Sequence, residues 1–365
     1  MRIASQVSNA DQKFKCEEYN LLTLSQPARP TVLIMSLSEF DLIQRFFNQE
    51  KQPRSDIILG IGDDAAVLQP PHGQHIVVTT DTLVMGKHFP ENTPPADIGY
   101  KALAVSLSDL AAMGAKPGWI LLALTLPIAN EAWLQQFSNG FCSLLRDFHC
   151  QLVGGDLCCG PLSITVHALG FVPPGKALLR SGAQAGDYIY VSGTLGDAGL
   201  ALAYLENHTQ FTFSEKQIEN LMHRLNRPQA RVELGLALRG IASSAIDISD
   251  GLAADLGHIL SASQVGATVA IADLPLSDIL QTLSPEKAWP LALSAGDDYE
   301  LCFTVSPSNE TILQQCLKAI ACPYTRIGVI KKDLGLSLDR GEGILFSLNK
   351  TGFQHFIENS LPDLR

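Results

Sequence analysis

The residues most able to do chemistry in this chain are aspartates. Asp63 and Asp64 lie in LGIGDDAAV, Asp81 in VVTTDTLV and Asp109 in AVSLSDLAAMGA; Asp156 follows in LVGGDL, Asp247 and Asp250 in AIDISDGLAADL, and Asp297 and Asp298 in SAGDDYEL. None of these segments contains a Lys or Arg. A carboxylate within an apolar, glycine-punctuated stretch must take up a proton, find a cation or bind metal, because burying it unpaired costs several kcal/mol. A single such Asp is ordinarily a helix cap or turn residue, whereas a whole series points to a polynuclear metal site. The donors are hard oxygens, Asp with Thr and Ser hydroxyls, which select Mg²⁺ over zinc. Protein-bound Mg²⁺ in turn usually accompanies substrate phosphates.

Other chemistries find less support. Gly170 to Ala177 nearly spells a phosphate-binding loop, but its last position lacks a hydroxyl, and Pro173 and Pro174 cannot donate N–H groups. The run SGTLGDAG (192–199), between a strand and a helix, is shaped either to receive an anion on backbone amides or to make a plain turn. There is no GxSxG elbow, no EF-hand spacing and no CxxC pair. Of nine histidines, His88 alone stands beside the acidic segments, with Lys87 next to it.

The elements that must position these groups read as alternating strands and helices. From Met35, SLSEFDLIQRFF has helical spacing; DIILGI, AAVLQ and HIVVTTDTLV read as strands; a helix runs from Asp97 to about Met113. WILLALTLP, CQLVGGD and LSITVHALGFV are further strands, with an amphipathic helix over NEAWLQQFSNGFCSLLRDFH. Pro173-Pro174-Gly175 breaks the chain. Beyond it come the strand DYIYVSG, the helices GLALAYL and RVELGLALRGI, the strand SAIDIS, the helix GLAADLGHILSAS and the strand ATVAIA. The reading is α/β (α+β) with two domains, 35–172 and 173–365, preceded by an unstructured leader over 1–34.

Length and charge agree with an enzyme of this kind. A chain of 365 residues, 46% apolar and 17% charged, can bury two cores. Its net charge of −11 offers no footprint for a nucleic-acid backbone. No apolar run is long enough to span a bilayer, and the N-terminus lacks the basic and apolar regions of an export signal. Most of the eight cysteines read as reduced core residues of a cytoplasmic protein.

Taken in order, GIGDDAAV, TTDTLV, YKALAVSLSDLAAMGAKP, LVGGD, AIDISDGLAADLGHI and AGDDYELCFT resemble the thiamine-monophosphate kinase family of the aminoimidazole-ribonucleotide-synthetase-like superfamily, from about Met35 to the C-terminus. The resemblance implies transfer of the γ-phosphoryl group of ATP onto thiamine monophosphate. It also implies a homodimer in which N-terminal mixed sheets join into a barrel. By position, Asp64, Thr79, Thr80, Asp81, Asp109, Asp156, Asp247 and Asp250 would be Mg²⁺ ligands. Gly155, Asp156, Arg180 and Ser249 would contact ATP, with Arg180 stabilising charge, and His88, Asp297 and Phe353 would line the acceptor pocket. No protein nucleophile is implied.

Two segments depart from the family pattern. Asp297 stands where a Glu is usual, one methylene shorter, and Leu157, Cys158 and Cys159 follow the GGD motif in place of threonine-like residues. Within the superfamily, a selenophosphate synthetase needs a reactive Cys in a glycine-rich N-terminal segment, and a hydrogenase-maturation protein a C-terminal Cys; this chain has neither. Purine-pathway synthetases differ in motif detail. A non-enzymatic cation-binding protein is the remaining alternative.

Overall fold

The computed structural model describes residues 38–48, 54–206, 208, 211–349 and 351–353. The predicted leader lies outside them. Helix α1 (Glu39–Phe46) opens with a reciprocal cap: the Asp41 amide donates to Ser38 Oγ (3.2 Å) and the Ser38 amide to Asp41 Oδ2 (3.0 Å). It buries Leu42 and Phe46.

The first half of the chain builds a small hairpin, β1 (Ile57–Leu59) with β2 (Val67–Leu68), and then a four-stranded sheet of β3 (His75–Val84), β4 (Lys116–Leu126), β5 (Gln151–Cys159) and β6 (Ser163–Val172). The order is β3-β6-β4-β5, parallel only between β4 and β5. Two helices belong to this half, α2 (Pro95–Ala112) and α3 (Glu131–Asp147). Pro95 at the first turn of α2 costs no hydrogen bond, since that amide would lack a helical partner anyway.

Burial along β3 alternates with the strand period: Thr79, Asp81 and Leu83 turn inward, whereas Ile76, Val78, Thr80, Thr82 and Val84 are exposed. Helix α2 is buried on most of its surface because it is shared. On one side lie α3, β3 and β6, and on the other α6 (Val232–Ala237) and β8 (Ala242–Asp247) of the second half.

That second half holds a six-stranded sheet, β12-β9-β11-β7-β10-β8, formed by β7 (Tyr188–Ser192), β8, β9 (Gly266–Ala270), β10 (Leu301–Val305), β11 (Tyr324–Lys331) and β12 (Gly335–Asp339). Around it run α4 (Asp197–Leu205), α5 (Glu215–Asn226), α7 (Leu252–Ser263), α8 (Asp278–Gln281), α9 (Pro285–Ser294) and α10 (Glu310–Leu317). One core packs Ile246, Leu256, Ile259, Val269 and Ile327 between α7 and the sheet; a second gathers α4, α5, α8 and α9 around Leu200, Leu221, Leu225 and Leu291. The α/β (α+β) architecture expected from the sequence is the one observed.

Some local expectations need correcting. The predicted helix RVELGLALRGI is helical only over Val232–Ala237. Helix α5 was not anticipated, although S-E-K-Q at 214–217 carries a capping box, with Ser214 Oγ and the Gln217 side chain each accepting the other's backbone amide. The chain here is mostly polar and buries only Leu221, Leu225 and Asn226, so its helical stripe is thin. α5 and α6 are tied inward by Glu300, fully buried, which accepts from Arg231 Nε and Nη2 (2.6 Å each), Arg224 Nη2 (3.2 Å) and Ser192 Oγ (2.6 Å).

The crossing of α2 and α3 depends on two glycines that let the backbones touch. A methyl group on Gly99 would overlap the Phe137 carbonyl, and one on Gly140 the Ala96 carbonyl. Neither backbone can yield without moving a whole helix. Gly140→Ala is therefore expected to lower stability by about 1–3 kcal/mol, the usual cost of overpacking, read from the shift of the urea midpoint.

Candidate functional site

The centre of the site is where β3, α2 and β8 meet. Thr79 and Asp81 share the inward face of β3, two residues apart, and opposite them α2 presents Ser106, Ser108 and Asp109. Ser106 Oγ donates to Asp81 Oδ2 (2.7 Å), Ser108 Oγ donates to Asp247 Oδ2 (2.8 Å), and Thr79 Oγ1 donates to Asp109 Oδ2. Asp247 ends β8 and is 5% exposed. A cavity of about 230 Å³ opens beside these groups, lined by Thr79, Asp109, Met113, Arg180 and Asp247 among others. Arg180 approaches from an exposed segment after the Pro-Pro-Gly break. The cation absent from the acidic segments in sequence is thus delivered by the fold.

The three acids share one electrostatic problem. Burial, then the neighbouring Asp109, push the Asp81 carboxyl up to about 6, against the Ser106 hydrogen bond. Asp109 is raised by burial, opposed by Thr79 and by the Arg180 guanidinium. Asp247 is raised well above the usual carboxylate range by burial and then by Asp109. No three His, Cys, Asp or Glu side chains among the described residues are poised to enclose an ion by themselves. The donor set is nevertheless all hard oxygen, and its negative charges oppose one another, so it fits a divalent cation of the Mg²⁺ kind.

A second group of residues converges next to the first, for a backbone reason. β10 and β8 are antiparallel with Leu301 opposite Asp247, and the pairing continues past both strands: Tyr299 donates to the Ile248 carbonyl (2.8 Å) and Asp297 to the Ser249 carbonyl (2.8 Å). Phe353 donates to the Asp250 carbonyl (3.0 Å). Ser249, Asp250, Asp297 and Phe353 are thereby collected at one place. Asp297 and Tyr299 both hold positive φ, 62° and 50°, a conformation side chains rarely adopt and functional loops often retain. Loop 249–251 is shaped by Asp255, whose Oδ2 accepts the amides of Ser249, Asp250 and Gly251 at 3.0–3.1 Å. Burial and Asp250 push that carboxyl up to about 7.

Sequence reasoning missed three side chains here. Lys101, 2% exposed, donates from Nζ to Asp297 Oδ2 (3.0 Å) and to the His88 carbonyl (3.2 Å). The Tyr299 hydroxyl is held well above its usual range by burial and then by Asp297, Asp81 and Asp247, so it remains a neutral donor between the two groups of acids. Asp255 is the third. Lys101 and Tyr299 both lie inside motifs already singled out, but only the folded chain shows what they face.

Several predicted residues stand elsewhere. The Thr80 hydroxyl points away from Asp81 and is bonded to His167 Nδ1 (2.8 Å) on the outward face of the sheet; alternation along a strand forbids adjacent residues one face. Asp156 is exposed on β5, in the cross-sheet row Asp156–Ala123–Thr165–Thr82, three strands and so about 14 Å from β3. Gly155 is beside it. Asp64 is exposed on the loop between β1 and β2. The SGTLGDAG turn is no open anion cradle, because Asp298 Oδ1 already accepts the Gly196 amide (2.9 Å) and Asp197 accepts from Thr194 and Ser277.

Residues 62–172 match the N-terminal domain, and residues 184–340 the C-terminal domain, of AIR synthase related proteins. That sets the class, and the closer likeness is to one branch of it. Thiamine-monophosphate kinase of Escherichia coli strain K12 is 50% identical over 324 residues, 88% of this chain and 99% of the relative. Among solved structures, thiamine-monophosphate kinase from Stenotrophomonas maltophilia K279a aligns with a TM-score of 0.77 at 48% identity, covering 85% of this chain and 99% of that one. AaThiL complexed with AMPPCP and TMP aligns with a TM-score of 0.67 at 30% identity, covering 89% and 100%. The chain belongs to the thiamine-monophosphate kinase family.

The crowding of carboxylates has a thermodynamic signature. As pH rises, an unfolded chain releases the Asp81 proton near 4, whereas the folded protein keeps it to about 6, so the contribution of Asp81 to native stability is full below pH 4 and is lost through pH 6. In chelator-treated protein, Asp81→Asn is expected to make the loss of stability between pH 4.5 and 7.5 smaller and to raise stability at pH 7.5 by about 1–3 kcal/mol. Urea titrations of both proteins at pH 4.5 and 7.5 check it.

Proposed function

We propose that this chain transfers the γ-phosphoryl group of ATP directly to the phosphate of thiamine monophosphate, releasing thiamine diphosphate and ADP. The observation that carries the reading is the meeting of Asp109 and Asp247 with Arg180 at one cavity, with Asp81 beside them, adjacent to the Asp297, Ser249 and Phe353 group. The kinship with thiamine-monophosphate kinases agrees with it.

Asp81, Asp109, Asp247 and Thr79 would hold Mg²⁺, joined by Asp64, Asp156 and Asp250; Thr80, whose hydroxyl faces His167, would contribute through its backbone. When bound, the metal offsets charge on the transferring phosphoryl group. Arg180 supplies a planar guanidinium fork to the triphosphate, with Gly155, Asp156 and Ser249 as its other contacts. The acceptor oxygen belongs to a phosphate already ionised at neutral pH, so no protein base has to be deprotonated first. His88, Asp297 and Phe353 would orient the acceptor.

A homodimer follows from the same reading. β3 and β5 are the edge strands of the four-stranded sheet, and its outward face exposes Ile76, Val78 and Val84 at 44%, 61% and 37%. Pairing β3 with the β5 edge of a second copy would close a barrel and set the partner's β5 beside β3. The domains would be 35–172 and 173–365. All seven described cysteines are free thiols and no described helix is long and apolar enough to cross a membrane, in keeping with a cytoplasmic enzyme.

A coupled ADP-release assay with Mg-ATP, comparing thiamine monophosphate, thiamine and aminoimidazole-pathway substrates, tests the reaction. Thiamine diphosphate, identified by mass, is expected from the monophosphate alone and only with Mg²⁺. A folded, Mg-ATP-binding protein that leaves the monophosphate untouched overturns the acceptor. Asp81→Ala and Asp156→Ala are each expected to cut turnover at least about 100-fold, as loss of metal-borne charge stabilisation would, while circular dichroism stays native.

A further inference from the structure

Lys101 is among the most deeply buried charged groups of the molecule, 2% exposed on a helix whose neighbours are apolar. A buried ammonium is retained only with partners, and the two partners of Lys101 lie where the acceptor is proposed to bind. The Asp297 carboxylate takes it through Oδ2 at 3.0 Å, and the His88 backbone carbonyl at 3.2 Å. His88 comes from the turn after β3 and Asp297 from the segment before β10, so a single side chain of α2 ties a wall from each half of the chain to the other. Such charge-assisted bonds are shorter and stronger than neutral ones.

The position of Lys101 on α2 has its own logic. Lys101, Val105, Ser108, Asp109 and Ala112 fall at offsets 0, 4, 7, 8 and 11, one stripe of the helix. Asp109 and Ala112 line the cavity beside Arg180, and Lys101 lies eight residues, about 12 Å, up the axis. One rigid helix thus spaces the phosphate-side acids from the acceptor-side tie. The Asp297 side chain remains 29% exposed, leaving a carboxylate edge for a ligand while Lys101 fixes its direction and offsets its charge.

We propose that Lys101 is a positioning residue for the acceptor: its ammonium joins the Asp297 carboxylate to the His88 carbonyl and so sets two walls of the acceptor pocket against each other. It does not itself touch the reacting phosphate. The proposal rests on the kinase reading above.

The test is steady-state kinetics of wild type, Lys101→Met, Asp297→Asn and the double variant with thiamine monophosphate and Mg-ATP. Lys101→Met is expected to raise KM for thiamine monophosphate about 10-fold or more, the loss for a charge-assisted hydrogen bond, with KM for ATP unchanged and kcat nearly so. The double variant is expected to be no worse than the weaker single one, as for residues acting through one another. An unchanged acceptor KM overturns the proposal, as does a joint fall in kcat and ATP affinity, which would make Lys101 part of the scaffold. If Lys101→Met does not fold, Lys101→Gln carries the same test, and failure of both to fold overturns it. A wild type inactive on thiamine monophosphate overturns the kinase reading and this proposal with it, whereas an active wild type with an unaffected Lys101→Met removes only the latter.

Discussion

Mutual repulsion among buried carboxylates is the constraint around which this molecule is arranged. Asp81, Asp109 and Asp247 come from β3, α2 and β8, in two halves of the chain with separate sheets, and they meet because the halves share α2. Left alone, three such charges would drive the halves apart or hold protons at neutral pH. The protein softens this with one hydroxyl for each acid, Ser106, Ser108 and Thr79, and one guanidinium, Arg180. Hydroxyls orient a carboxylate without neutralising it. The arrangement therefore stays short of positive charge.

The remaining acids are treated differently, which separates scaffold from site. Glu300 is fully buried yet saturated by Arg224, Arg231 and Ser192. Asp255 spends one oxygen on three backbone amides, and Asp298 gives one to Gly196. These carboxylates hold helices and loops in place; those at the β3, α2 and β8 junction have one hydroxyl each and share Arg180. Among neighbouring acids in one motif, Asp297, Asp298 and Glu300 thus divide between the Lys101 ion pair, the Gly196 turn and the core.

Much of this was legible before folding. The alternation of strands and helices follows from periodicity, and the placing of acids in apolar, glycine-punctuated segments from residue type. Legibility ended where long-range geometry decides. Nothing local in VVTTDTLV says that Thr80 faces His167 while Asp81 faces Ser106, beyond the strand period itself. Lys101 sits in a motif that reads as a buried helix, and its ion pair with Asp297 spans 196 positions. Asp156 looks equivalent to Asp81 as a glycine-flanked acid, but the order β3-β6-β4-β5 sets it at the far edge of its sheet. Strand order, unlike strand identity, is written in no single segment.

The alternation in β3 also bears on how this chain can vary. Its inward residues serve the acids of the site, and its outward residues, from Ile76 to Val84, belong to another surface. Because the side-chain period is two, losing or gaining one residue within 75–84 would exchange the two surfaces wholesale, sending Thr80 to Ser106 and Asp81 to His167. Point changes on either surface are separable, but the length of this segment is not free. Across relatives, insertions should therefore collect near residues 173–175 and spare these ten positions.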